Sequence, residues 1–192
     1  MAGYFEAVPG GGAAVALDEV ELSILRSLAV QLLELIGPGD EPDEDADPLA
    51  ALFAEGPTER PSDPALARLF PDAYADDDAE LRAAAAEFRR FTEVDLRTRK
   101  RQDALAVVRT LDAFSAVGEG GAVLKLDPDD SRRWLGTLND LRLTIAARLD
   151  ITDDESGDAL HHLPDEDPRK PMVMAYLWLG MLQETLVETL MG

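Results

Sequence analysis

Gly11-Gly12-Ala13-Ala14-Val15-Ala16-Leu17-Asp18 and Gly120-Gly121-Ala122-Val123-Leu124-Lys125-Leu126-Asp127 follow one pattern: a glycine turn, a short alternating strand, then an Asp placed to cap a helix. In the first stretch Asp18 and Glu21 have the spacing of a capping box, and in the second Pro128 takes the favoured first helical position. Each stretch is a strand feeding a helix. Isolated strands of this length leave backbone donors and acceptors unpaired, and pairing with one another is the simplest remedy. The expected fold is therefore mainly α, a helical bundle with a small two-stranded β element joining residues 13–17 to 122–126.

Helical periodicity extends outward from both strands. Leu22, Leu25, Leu28, Leu32 and Leu35 form a stripe in a helix from Asp18 to Ile36, which Gly37-Pro38-Gly39 stops. Trp134, Leu138, Leu141, Ile145 and Leu149 share one face of an amphipathic helix from Pro128 to Leu149. Asp-Pro pairs start short helices at Pro48 to Ala54 and Pro64 to Phe70. Asp77 to Phe114 reads as a long helix or as two segments, the second capped by Thr92 with Asp95 three residues on; both readings bury Leu81, Phe88 and Phe91. Pro171 opens a final helix, Met172 to Met191, apolar around most of its circumference and therefore central to a bundle or at a subunit interface; Met172 to Leu186 is expected to pack against the helices of Asp18 to Ile36 and Pro128 to Leu149.

Acidic segments near 37–48 and 150–169 have too little apolar surface to fold alone and read as linkers within one helical domain spanning 1–192. A chain of 192 residues buries roughly 70% of the surface its unfolded form exposes, so its core needs no staples. The absence of cysteine excludes disulfides, thiolate metal sites and cysteine nucleophiles, and suits a reducing compartment. Met1 to Gly12 lacks the pattern of a signal peptide, and no apolar run spans a bilayer, so a cytoplasmic protein is expected. With 39 acids against 18 bases, the charge of −21 repels nucleic acid and anionic membranes and favours protein partners; a homodimer is the other partner expected, formed through the apolar final helix.

No residues stand at the spacing a catalytic centre requires, and no cofactor or metal is expected. His161 and His162 adjoin Asp158, Asp165 and Asp167, but structural metal motifs use spaced pairs, so these read as solvated loop histidines. The glycine runs precede strands, whereas a phosphate loop lies between a strand and a helix N-terminus. The acidic runs lack the calcium-loop pattern, and no serine sits in a nucleophile elbow.

Charge reverses in one region. Residues 82 to 109 hold eight bases against four acids, which makes Arg89, Arg90, Arg97 and Arg99, together with Trp178 of the final helix, the candidate interaction surface. A winged-helix type of DNA contact is the competing reading of these bases; neutralising the chain's own acids is the preferred one. Asn139, Asp140 and Arg142, with Gln183 and Glu184 of the final helix, interrupt otherwise apolar helices; Asn139, Asp140, Arg142 and Glu184 are the candidate buried polar network, with Arg142 at its centre.

Together, the segments Asp47-Pro48-Leu49, Leu69-Phe70-Pro71-Asp72-Ala73-Tyr74, Glu87-Phe88-Arg89-Arg90-Phe91-Thr92, Trp134-Leu135, Leu138-Asn139-Asp140-Leu141-Arg142-Leu143, Tyr176-Leu177-Trp178 and Gln183-Glu184 resemble the actinobacterial domain-of-unknown-function family DUF2017 over essentially the whole chain. The resemblance implies a cytoplasmic protein whose gene lies near those of the Clp protease adaptor and of a sulfur-carrier and cysteine-biosynthesis cluster. It brings no catalytic residue. The function expected is a non-enzymatic protein-interaction or regulatory factor linked to Clp proteolysis; a DNA-binding regulator and an undescribed enzyme are the alternatives.

Overall fold

The computed structural model describes residues 3–38, 56–74, 78–115, 121–153, 157, 160 and 162–192. A hairpin comes first: β1 (Glu6–Val8) turns through Pro9, Gly10 and Gly11 into β2 (Gly12–Leu17), with Glu6 opposite Ala14 and Val8 opposite Gly12. Gly10 and Gly11 take φ of 104° and 85°, a region open to glycine at little cost. β3 (Ala122–Leu126) pairs antiparallel with the other edge of β2, Ala13 opposite Leu126 and Leu17 opposite Ala122. The two matched stretches do pair, but the sheet has three strands, in the order β1-β2-β3. Three residues are too few for β1 to show an alternating pattern in sequence. Gly121, at φ 89°, opens β3 where a Cβ would stand 2.6 Å from the Leu17 carbonyl oxygen, so the turn into the sheet requires glycine.

β2 and β3 each lead directly into a capped helix. The Asp18 carboxylate accepts from the Glu21 amide at 2.8 Å and the Glu21 carboxylate from the Asp18 amide at 2.9 Å, completing the capping box of α1 (Glu19–Ile36). Asp63 caps α2 (Pro64–Leu69). The long stretch is one helix, α3 (Ala79–Ser115), unbroken at Thr92, whose hydroxyl donates to the Phe88 carbonyl at 2.8 Å instead of capping a new segment. Asp127 accepts from the amides of Asp129 and Asp130 to start α4 (Pro128–Arg148), and α5 (Lys170–Met191) closes the described chain.

α4 is the central element. α2, α3 and α5 pack directly on it, α1 lies against α3, and the sheet closes one end against α4 and α5. Phe5, just ahead of β1, meets Trp134 edge-on with ring centroids 6.1 Å apart, while its amide donates to the Thr185 hydroxyl at 3.1 Å. The expected stripe of α4 is buried in full, from Trp134 to Leu149. In α1, Leu22, Leu25 and Leu32 are buried with Ala29 and Ile36. Within the acidic 150–169 segment, Ile151 and Leu160 belong to the core.

Two expectations about packing are corrected. Leu81, Phe88 and Phe91 are 39%, 49% and 64% exposed, because the inward face of the first half of α3 is carried by Ala85, Arg89 and Glu93. The middle of α5 is buried through Val173, Leu179, Leu182 and Leu186. Its principal partners are α4 and strands β1 and β2 rather than α1. Between α1 and the start of α5 runs a groove of about 880 Å³, with Leu28, Leu35, Ile145 and Met172 in its walls. The helix expected at Pro48 to Ala54 lies outside the described residues, as does most of the acidic segment near 37–48. Among the described residues no helix is long and apolar enough to cross a membrane.

Candidate functional site

Along α3 the positions Ala85, Arg89, Glu93, Arg97, Lys100, Ala104, Val107 and Leu111 recur at helical spacing and form one inward stripe, apolar at its ends and ionic in its middle. Arg89 is 4% exposed. Its guanidinium donates to Glu93, to Asp72 at 2.7 Å and to the Phe70 carbonyl at 3.0 Å. Glu93, equally buried, also accepts from Arg97 at 2.8 Å. Arg97 lies 4.3 Å above the Phe70 ring and donates to the Ile36 carbonyl at 2.7 Å, and Arg101 donates to the Gly37 carbonyl at 2.9 Å. The last turn of α1 has no base of its own, so these two arginines of α3 supply the positive charge that its terminal carbonyls attract.

One turn further on, Lys100 donates to Asp140 of α4 at 2.5 Å. Burial pushes the Asp140 carboxyl above its ordinary value, against the pull of Lys100. Asp103, half-buried on the same seam, is also raised, first by burial and further by Asp140, with Arg99, Arg133 and Lys100 opposing. Four of the eight bases in this run, Arg89, Arg97, Lys100 and Arg101, are therefore engaged inside the fold, while Arg82, Arg99 and Arg109 are exposed. Of the expected interaction residues, Arg89 is buried, which removes it from any surface; Arg90, Arg97 and Trp178 are half-buried, and Arg99 is exposed. Trp178 packs against the core.

The polar residues of α4 divide into two groups. Asp140 faces Lys100 and α3, while Arg142 faces α5, donating to Gln183 at 2.7 Å and to the Tyr176 hydroxyl at 3.4 Å, with its guanidinium 5.0 Å from the Tyr176 ring centre. Asn139 accepts from Gln183 at 3.4 Å. Glu184 is exposed and lies outside this set of hydrogen bonds; Gln183, one residue earlier, makes the link to α4. Arg142 also lines a cavity of about 260 Å³ with Arg68, Asn139, Thr152, Asp153 and Tyr176 among its walls. His162 is exposed, whereas His161 and Asp158 lie outside the described residues.

Where Arg89 and Glu93 turn inward, the aromatic side chains turn outward. Leu81, Phe88 and Phe91 form an exposed strip on α3, with Leu96 at its flank, 37% exposed. Beside the strip a groove of about 310 Å³ separates Phe88, Thr92 and Leu96 from Phe70, Pro71 and Ala73, and Tyr74 stands 48% exposed just beyond it.

A family model described as "Domain of unknown function (DUF2017)" matches residues 2–190. The chain belongs to this family. Among curated relatives, the oxidative stress regulator AosR of Mycobacterium tuberculosis strain H37Rv is 30% identical over 183 residues, which cover 90% of this chain and 79% of the relative. The putative oxidative stress regulator AosR of Mycobacterium leprae is 31% identical over the same shares. No solved structure matches significantly.

For this member of DUF2017, the residues that sequence reasoning missed are those of the outward strip. A signal for the strip was present. Arg89, Glu93 and Arg97 recur at intervals of four, the same interval that continues through Ala85 behind them, so one face of α3 had to take both small and ionic residues. Glu93 placed between two arginines is the cue that this face could be neutralised and buried.

Proposed function

We propose that this chain is a non-enzymatic cytoplasmic regulator that acts by binding another protein through the outward strip of α3. The carrying observation is the exposure of Phe88 and Phe91 beside Leu81 on a helix whose other face is fully committed to the fold. Covering a large apolar side chain is worth about 1.5–3 kcal/mol, so such a strip favours association. The regulatory assignment draws on the relatives named as oxidative stress regulators. A place beside Clp-dependent proteolysis is the finer form of this reading, suggested by the family resemblance.

The 192 residues contain no cysteine, so a disulfide switch within this chain has no chemistry to run on. An oxidant signal therefore reaches the complex through the partner or through methionine. Nucleic acid finds less purchase on the basic run than its composition suggests, since four of its eight bases, Arg89, Arg97, Lys100 and Arg101, are engaged inside the fold.

The test is a photo-crosslinking residue at position 91 in the native cell, paired with the double substitution Phe88→Ser and Phe91→Ser. A protein crosslinked at position 91 and lost from the complex in the double variant, with an unchanged melt, is the expected result. Crosslinks only to the chain itself would make the strip a self-association surface, and undiminished capture by the double variant would remove the strip from the mechanism.

A further inference from the structure

In a chain with 39 acids and 18 bases, arginines find carboxylates readily. Arg26, Arg89, Arg97, Arg132, Arg133, Arg148 and Arg169 each do so here. Arg142 is different. Among the described residues its acceptors are neutral, Gln183 Oε1 and Tyr176 Oη, and its Nε is buried without a partner. A half-buried guanidinium without a counter-charge keeps both an electrostatic demand and unused N–H donors.

The surrounding structure holds that charge in place. Gly180 of α5 supplies the space: a Cβ there would stand 3.5 to 3.6 Å from the Nε, Cζ and Nη2 atoms of Arg142. Tyr176 stacks near the guanidinium and accepts from it, leaving the phenolic hydrogen free to donate, and Gln183 fixes the opposite end of the fork. Arg142 faces a cavity of about 260 Å³ whose wall also holds Arg68, already engaged with the Ile151 carbonyl, and Asn139. Leu143, Ala146 and Ile151 make the remaining wall apolar, and Asp153 provides one negative charge.

We propose that this cavity is a binding site for a small monocarboxylate with an apolar tail, its carboxylate accepting from Arg142 and from the Tyr176 hydroxyl. The size argues for a small acid, since the cavity lies just below the ~300–1,000 Å³ typical of drug-sized ligand pockets. The charge argues for a single negative group: two arginines against Asp153 leave one positive charge, which a monoanion neutralises and a dianion exceeds. Arg142 extends from α4 to α5, so occupancy bears directly on the packing of these two helices. The site stands apart from the strip on α3 and does not depend on the function proposed for it.

The experiment is titration of the full chain with benzoate and with butyrate, followed through the side-chain Nε–H resonances of arginine and through calorimetry. Benzamide serves as the uncharged control and inorganic phosphate as the competing oxyanion. Saturable shifts at Arg142 with either carboxylate, absent with benzamide, are expected. Arg142→Lys, which keeps the charge but loses the fork, weakens binding by about tenfold or more. Tyr176→Phe, which retains the ring, weakens it less while leaving the melt nearly unchanged, so a folding defect in the first variant does not obscure the result. Absence of saturation at tens of millimolar ligand, equal response to benzamide, or full affinity in both variants would overturn the site. Saturation by phosphate alone would overturn the carboxylate assignment.

Discussion

Arg89 shows at the residue scale how an acidic protein can bury a base. Its three acceptors come from two places, Glu93 on its own helix and Phe70 and Asp72 at the end of the α2 segment, so one side chain ties α3 to that segment. Desolvating a guanidinium and a carboxylate is costly, and the cluster is tolerable because each charge has more than one partner. Replacing Arg89 with Ala leaves Glu93 with Arg97 alone and strands the Phe70 carbonyl. The expected loss is about 3–5 kcal/mol of unfolding free energy in urea, accompanied by loosening around residues 70–72. A loss below about 1 kcal/mol would show that water replaces the guanidinium and that the cluster is ornamental to stability.

Helix α5 shows at the element scale why hydrophobicity alone does not determine a partner. Its composition demands cover, and the cover comes from α4 on one side and from β1 and β2 on the other, with Thr185 also accepting from the amide of Phe5. Val173, Leu179, Leu182 and Leu186 each stabilise by about 1.5–3 kcal/mol, a sum comparable with the ~5–15 kcal/mol total stability of a typical domain. Truncation before Pro171 is therefore expected to give an insoluble or molten chain, helical by far-ultraviolet circular dichroism but without a cooperative melt. A truncated chain that kept the parental melt would make α5 an appendage and return the Phe5–Trp134 contact to the sheet alone.

Over the whole molecule, two carboxyls raised by burial make their own contribution to the dependence of stability on pH. Asp103 and Asp140 lie close to the same α3–α4 seam, and both titrate above the ordinary value of 3.8. For a carboxyl raised by folding, the native state holds the proton longer than the unfolded one. The stabilisation is then complete below pH 3.8 and is lost as pH rises through the folded value. Asp103→Asn should accordingly raise the melting temperature at neutral pH, and the gap from the parent should close as pH falls towards 3.8. Asp103 is half-buried, so solvent screening keeps the gain within about 1 kcal/mol. A gap independent of pH would mean that the substitution acts through packing near Gly136, where a Cβ would lie 3.4 Å from the Asp103 carboxylate.

Local chemistry was sufficient for the elements that carry their own signals. Asp18, Asp63 and Asp127 cap helices because an oxygen beside free amides acts within one turn, whatever the rest of the chain does. Two strands bounded by glycine turns had to find each other, and the Leu and Trp stripes of α1 and α4 had to face inward. Tertiary structure settled the inward face of α3, for which the sequence carried only the spacing of Arg89, Glu93 and Arg97. In sequence, the Phe88 and Arg89 faces lie about 100° apart on the helix, and hydrophobicity favours Phe88. Arg89 prevails because Asp72 and the Phe70 carbonyl, which only the folded chain brings to it, join Glu93 one turn along its own helix, and Arg97 prevails because the end of α1 lies beside it. The same holds for Gln183 over Glu184: the phase of α5 against α4 places one beside Arg142 and the other in solvent, and the sheet and Phe5, whose amide donates to Thr185, hold the helix in that phase.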